Sequence, residues 1–273
     1  MSKDSSKPVP EVPNADKSKL GTIRNTVSRV PWNPWLGVVF VILAYYLSQI
    51  FASIIVSIYP SLKQWSSAEA NEWLTNSVGA QFFYVLIAEV FLLGAIYIFL
   101  KHYHTNFKII GFKRPRWRDI GYGLMAVPVY YVLYLITVGL ANQFIPGLDI
   151  NQKQEIGFDN VQGLGPLILT FTSLVILPPL VEEIMVRGFL YSSLKKGLPT
   201  LAAVITTSAI FASAHLPAGG ANGLLYIAAL DTFILSLVLI YLREKTGSLW
   251  ASITLHAFKN GVAFMVLFVF MAT

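Results

Sequence analysis

The chain has 273 residues, of which 55% are hydrophobic and only 12% charged, about half the charged share of a soluble domain. That balance excludes an ordinary soluble enzyme and indicates a polytopic membrane protein. The net charge of +6 clusters in loops, which gives no reason to expect a nucleic-acid partner, and the absence of cysteine excludes disulfides, thiolate catalysis and cysteine-ligated metal.

Residues 1–34 read as a disordered cytoplasmic tail, polar and rich in Ser, Lys and Pro over most of their length. Apolar runs follow at about 36–59, 78–100, 120–141, 164–181 continuing to about 196, 199–216, 223–242 and 248–271. Each reaches or approaches the ~20 residues needed to cross a bilayer. The expected fold is all-α: a transmembrane helical bundle of about seven spans, with a polar site buried between the C-terminal helices. Residues 35–119 form its N-terminal helices and a basic loop, and residues 120–273 form its core. The segment "LPAGGANG" leaves open a short or re-entrant helix in place of the span at 199–216.

Charge sets the expected orientation. Six Lys/Arg lie in residues 1–30 and six more in 101–118, and "SLKKG" and "REKTG" are basic again. The segments "PSLKQWSSAEANEW" and "PGLDINQKQEIGFD" are net acidic. The positive-inside rule then puts the N-terminus in the cytoplasm and the C-terminus outside.

Eight ionisable groups fall in or near the spans: Glu89, Glu182, Glu183, Arg187, His215, Asp231, His256 and Lys259. A charge at a helix centre costs at least ~2.5 kcal/mol on insertion scales, so such groups face the bundle interior and commonly mark function. Pro178 and Pro179 are expected to break the fourth span, with a helix restarting at about Leu180. Counting ~1.5 Å per residue from the basic turns gives depths of ~21 Å for Glu182, ~24 Å for His215 and Asp231, ~13 Å for His256 and ~20 Å for Asn260. Groups distant in sequence therefore meet in one slab.

Spacing separates their roles. Glu183 and Arg187 are i and i+4, the favourable order for an intrahelical ion pair. Glu182 points ~100° away and stays less compensated, which suits a carboxylate that takes a proton from water. His256 and Asn260 are also i and i+4, and both can present N–H donors to a developing oxyanion. Phe211 and His215 share a face in the same way. Glu89 and Asp231 read as interior hydrogen-bonders, with Asp231 nearer the site, and Lys259 as snorkelling or pairing with one of them. His102 and His104 lie in a basic loop and carry no site.

The order E-E-x-x-x-R (Glu182, Glu183, Arg187), F-x-x-x-H (Phe211, His215) and H-x-x-x-N (His256, Asn260) resembles the CPBP family. That family comprises CAAX proteases and bacteriocin-processing enzymes, membrane-embedded glutamic proteases related to the type II CAAX prenyl endopeptidase. The likeness covers roughly residues 120–270. It implies that Glu182 activates water, that His215 helps hold it, and that His256 and Asn260 form the oxyanion hole. Glu183, Arg187 and Phe211 would support the site. It further implies a prokaryotic cell membrane, no cofactor and no metal, and a peptide or protein substrate reached from the lipid bilayer. Zinc is the minority alternative, because H-E-x-x-H is absent. Two other readings stay open, a non-catalytic regulator or bacteriocin-immunity protein that keeps the fold and a proton-coupled transporter. The oligomeric state is not specified by any motif.

Overall fold

The computed structural model describes residues 30–152, 154, 156–217 and 223–270. The first 29 residues of the expected tail and most of "LPAGGANG" lie outside the described residues. The elements are helical throughout: α1 (Pro34–Leu62), α2 (Ser67–Asn76), α3 (Val78–His102), α4 (Trp117–Phe144), α5 (Leu164–Gly197), α6 (Thr200–Ser213), α7 (Tyr226–Thr246) and α8 (Trp250–Phe270). Six of them, α1, α3, α4, α5, α7 and α8, are long and apolar enough to cross a membrane. The remaining apolar run is the shorter α6, 14 residues long.

Small side chains govern how closely the helices approach. The buried positions of α1 are Gly37, Val41, Ala44, Ser48, Ala52, Val56 and Pro60, which form one stripe. The stripe packs on α3 through Ala80, Ala88, Leu92 and Ile96. The opposite face of α1, with Leu43, Leu47, Ile50 and Ile54, is exposed and apolar. In lipid an outward apolar face costs nothing, so helix association depends on close backbone contact. Gly123 of α4 shows this limit, since a Cβ there would stand 2.6 Å from the Ala251 carbonyl oxygen of α8. The short α2 is more polar and starts with a capping box between Ser66 and Glu69. The hydrogen bonds from the Ser66 backbone and side chain hold the Glu69 carboxyl below the usual carboxylate range.

The basic segments gather at one end of the bundle. Trp32 is buried and donates from Nε1 to Ser193 Oγ at 2.8 Å, while Lys196 Nζ donates to the Trp32 carbonyl at 2.7 Å. The Leu249 N–H meets the Gly111 carbonyl, Arg116 reaches the Thr246 carbonyl, and Lys195 pairs with Glu244. Val30 and Trp32 thus belong to the bundle although they fall within the expected tail. At the other end Asn160 bonds Asn76, Gln81 accepts from the Phe158 N–H, and Gln152 donates to the Leu224 carbonyl. Segments of like charge character therefore share an end, as the loop charges require.

The expected break at Pro178–Pro179 does not occur. Helix α5 runs unbroken from Leu164 to Gly197, and its winding changes instead. Thr172–Ile176 and Glu183–Leu190 are π-helical, and Leu177–Glu182 between them is α-helical. The π segment ends just before the prolines, so both stand at the start of an α-helical segment, where a missing N–H is tolerated. The helix therefore resumes at Leu177 rather than at Leu180.

Candidate active site

Two π-helical segments flank Glu182 on α5, and such segments are often found at functional sites. Glu183 and Arg187 lie in the second segment, wholly buried, with Arg187 Nη1 donating to Glu183 Oε1 at 2.9 Å. The same Oε1 lies 2.9 Å from His256 Nδ1 of α8. One carboxylate oxygen thus ties α5 to α8. The guanidinium also stacks on Phe211 of α6, 4.2 Å from the ring centroid. Phe211 presents its ring to His215 at 4.8 Å and to His256 at 6.3 Å, edge to face in both cases. Phe211 is therefore the apolar centre around which Arg187 and both imidazoles are arranged.

Glu182 has a different environment. Its side chain is 25% exposed, and among the described residues its nearest basic atom is His256 Nε2 at 3.9 Å. That distance is too long for a hydrogen bond. Tyr45 of α1 and Glu89 of α3 lie within the field of Glu182. The first half of the chain therefore helps to wall the carboxylate.

Asn260 sits one helical turn beyond His256, and its amide Nδ2 donates to the Leu174 carbonyl at 3.0 Å. The sequence accounts for this bond. The backbone donors that would ordinarily serve Leu174 come from residues 178 and 179, and both are prolines. Asn260 supplies the missing donor and docks α8 on the π segment of α5. One Nδ2 hydrogen remains for another acceptor. Replacing Asn260 by Ala should cost about 1–3 kcal/mol through the orphaned carbonyl. Adding Pro178→Ala should restore part of that stability by returning an N–H. Thermal unfolding in detergent would check this, and additive losses would refute the coupling.

His215 lies just past α6, with Nδ1 2.9 Å from the Phe211 carbonyl. A carbonyl only accepts, so Nδ1 is the protonated nitrogen. Asp231 does not join the cluster. It accepts from Tyr130 of α4 and pairs with Lys259 at 2.9 Å. Lys259 is thus paired with Asp231, one of its two expected partners, and the triad ties α4, α7 and α8 together. The sequence reading missed the Leu174 carbonyl, Tyr45 and Tyr130. Only the first had a signal, the Pro-Pro pair four and five residues downstream.

The seven motif residues Glu182, Glu183, Arg187, Phe211, His215, His256 and Asn260 converge from α5, the α6 end and α8. Among the described residues, no three of His, Asp and Glu stand close enough to hold a metal ion. The model of the Rce1-like family, type II CAAX prenyl endopeptidases, matches residues 164–262, which contain all seven. The resemblance read from the motifs is thereby borne out over this region, and the match is to a family of proteases. No curated protein and no solved structure gave a match to the chain.

Proposed function

We propose that this protein is an intramembrane endopeptidase in which Glu182 activates water for attack on a peptide carbonyl. One observation carries the reading. Two adjacent carboxylates have opposite surroundings: Glu183 is wholly buried with Arg187 and His256 on one oxygen, while Glu182 is partly open and has no hydrogen-bond partner among the described residues. The first is suited to hold structure and the second to exchange a proton. In the reaction, water gives a proton to Glu182 as its oxygen bonds to the carbonyl carbon. The free Nδ2 hydrogen of Asn260 donates to the oxyanion, and His215 helps to hold the water. The protonated Glu182 then returns its proton to the leaving nitrogen as the C–N bond breaks.

The family match favours CAAX-type C-terminal segments as substrates, with leader peptides as the other class. The gathering of basic segments at one end supports a cytoplasmic N-terminus.

One feature favours zinc-assisted hydrolysis as a second reading. Both histidines turn Nδ1 to an acceptor and, among the described residues, leave Nε2 without a hydrogen bond, as metal-bound histidines turn theirs. The three candidate ligands Glu182, His215 and His256 do not fit a metal as placed, because they do not gather at ligand distance. The test is cleavage of a prenylated CAAX peptide and a leader peptide by the purified protein, with and without EDTA or phenanthroline. Cleavage should persist in chelator. Loss of activity that stoichiometric zinc restores would favour the metal mechanism, and failure to cleave either peptide would favour a non-catalytic regulator.

A further inference from the structure

We propose that Arg243 anchors a phosphate-binding site at the basic end of the bundle, and that the phosphate belongs to the headgroup of an anionic membrane lipid. The site stands on the last turn of α7, and it does not depend on the reading of Glu182 as the base.

Arg243 is only 7% exposed. A guanidinium carries five N–H donors and stays charged. Among the described residues this one forms no hydrogen bond and no ion pair, and its Nε is sealed from solvent without a partner. The two Nη atoms, unlike Nε, keep contact with the surface. Glu244 and Tyr191 lie within its field, but Glu244 is engaged by Lys195. Asp119, the acid at the start of α4, is engaged by Arg116. A buried charge without a partner is costly, so the site suits an anion that comes from outside the chain.

The surroundings are built around this side chain. Gly111 has a φ of +93°, and a Cβ there would stand 2.6 Å from Arg243 Nε. The loop that carries Gly111 is pinned beside the guanidinium. The Leu249 N–H donates to the Gly111 carbonyl at 3.1 Å, and Trp250 Nε1 donates to the Lys113 carbonyl at 2.6 Å. The same loop brings Lys113 to the C-cap of α7, with Nζ 3.7 Å from where a Cβ on Gly247 would stand. Lys113 is exposed, and no carboxylate among the described residues pairs with it. One rigid corner therefore holds two cations that lack an anion. The planar fork of Arg243 matches two oxygens of a phosphate, and Lys113 adds a point charge.

The depth of the corner favours lipid over a soluble anion. Tyr241, two residues before Arg243, and Trp117, between Arg116 and Arg118, are both exposed. Exposed aromatics at the ends of spans sit at headgroup level. Basic clefts between spans at that level are where anionic headgroups bind. A zwitterionic lipid offers the same phosphate but brings its own cation against Lys113.

The test is lipid binding to the purified full chain in mild detergent, read by native mass spectrometry and by unfolding temperature. The probes are phosphatidylglycerol, phosphatidylcholine and inorganic phosphate. Phosphatidylglycerol should bind and raise the unfolding temperature, and the other two should not. Arg243→Gln should weaken that binding on the order of tenfold, and Lys113→Gln by roughly fivefold. Lys108→Gln, on the same basic loop, should bind as the parent does. Unchanged binding in Arg243→Gln, or an equal loss in Lys108→Gln, would mean diffuse attraction to the basic end and would overturn the site. Protection by inorganic phosphate as strong as that by lipid would overturn the lipid assignment. Should Arg243→Gln fail to fold, Lys113→Gln decides, and unchanged binding there overturns the proposal.

Discussion

Glu182→Gln is expected to lower peptide cleavage by about 10²–10⁴-fold while leaving the protein folded. The amide is nearly the same size as the carboxylate but cannot take a proton from water. Among the described residues Glu182 has no hydrogen-bond partner, and its side chain is 25% exposed, so the substitution orphans none of their buried groups. The yield and unfolding temperature of the purified variant should match those of the parent. Cleavage measured against a CAAX-type peptide should fall through kcat rather than KM, because Glu182 acts on the water and not on the bound chain. Wild-type turnover in this variant would show that another group is the base.

Glu183→Gln is expected to do the reverse, removing stability first. Arg187 has a side-chain exposure of 0%, and its Nε and Nη2 already lack partners. Taking away the carboxylate bonded to it leaves a buried charge without that compensation, at a cost of about 3–5 kcal/mol. The Phe211 face, 4.2 Å from the guanidinium, offsets only part of that loss. A stability deficit of that size should appear as a lower unfolding temperature in detergent and reduced expression. Adding Arg187→Met should recover much of it, because an apolar chain then replaces the unpaired cation. An unchanged unfolding temperature in the single variant would mean that Arg187 is neutralised from elsewhere.

These two carboxylates show how far a sequence can be read. The pairing of Glu183 with Arg187 was legible because i,i+4 spacing places both side chains on one helical face in nearly any winding. The six long helices were legible because the bilayer demands length and low polarity, which are local properties. The clustering of basic loops at one end followed from charge alone. The seven motif residues were legible as a set, since each motif confines its residues to one turn of helix.

Other features needed the packed molecule. Pro178 and Pro179 suggested a break, yet α5 continues, because a π segment before them and the Asn260 amide together satisfy the backbone. The bond from His256 Nδ1 to Glu183 joins residues 73 apart, and no local rule predicts which imidazole nitrogen faces a distant carboxylate. Tyr45 and Glu89 reach the field of Glu182 only because α1 and α3 pack beside α5. Asp231 shares the depth of the site but is held by Lys259 and Tyr130 instead, since depth along an axis carries no information about rotation around it. Composition and spacing thus determined the helices, their membrane setting and the residue types at the site. Tertiary packing alone decided which atoms face one another, because helix rotation and side-chain direction depend on neighbours distant in the chain.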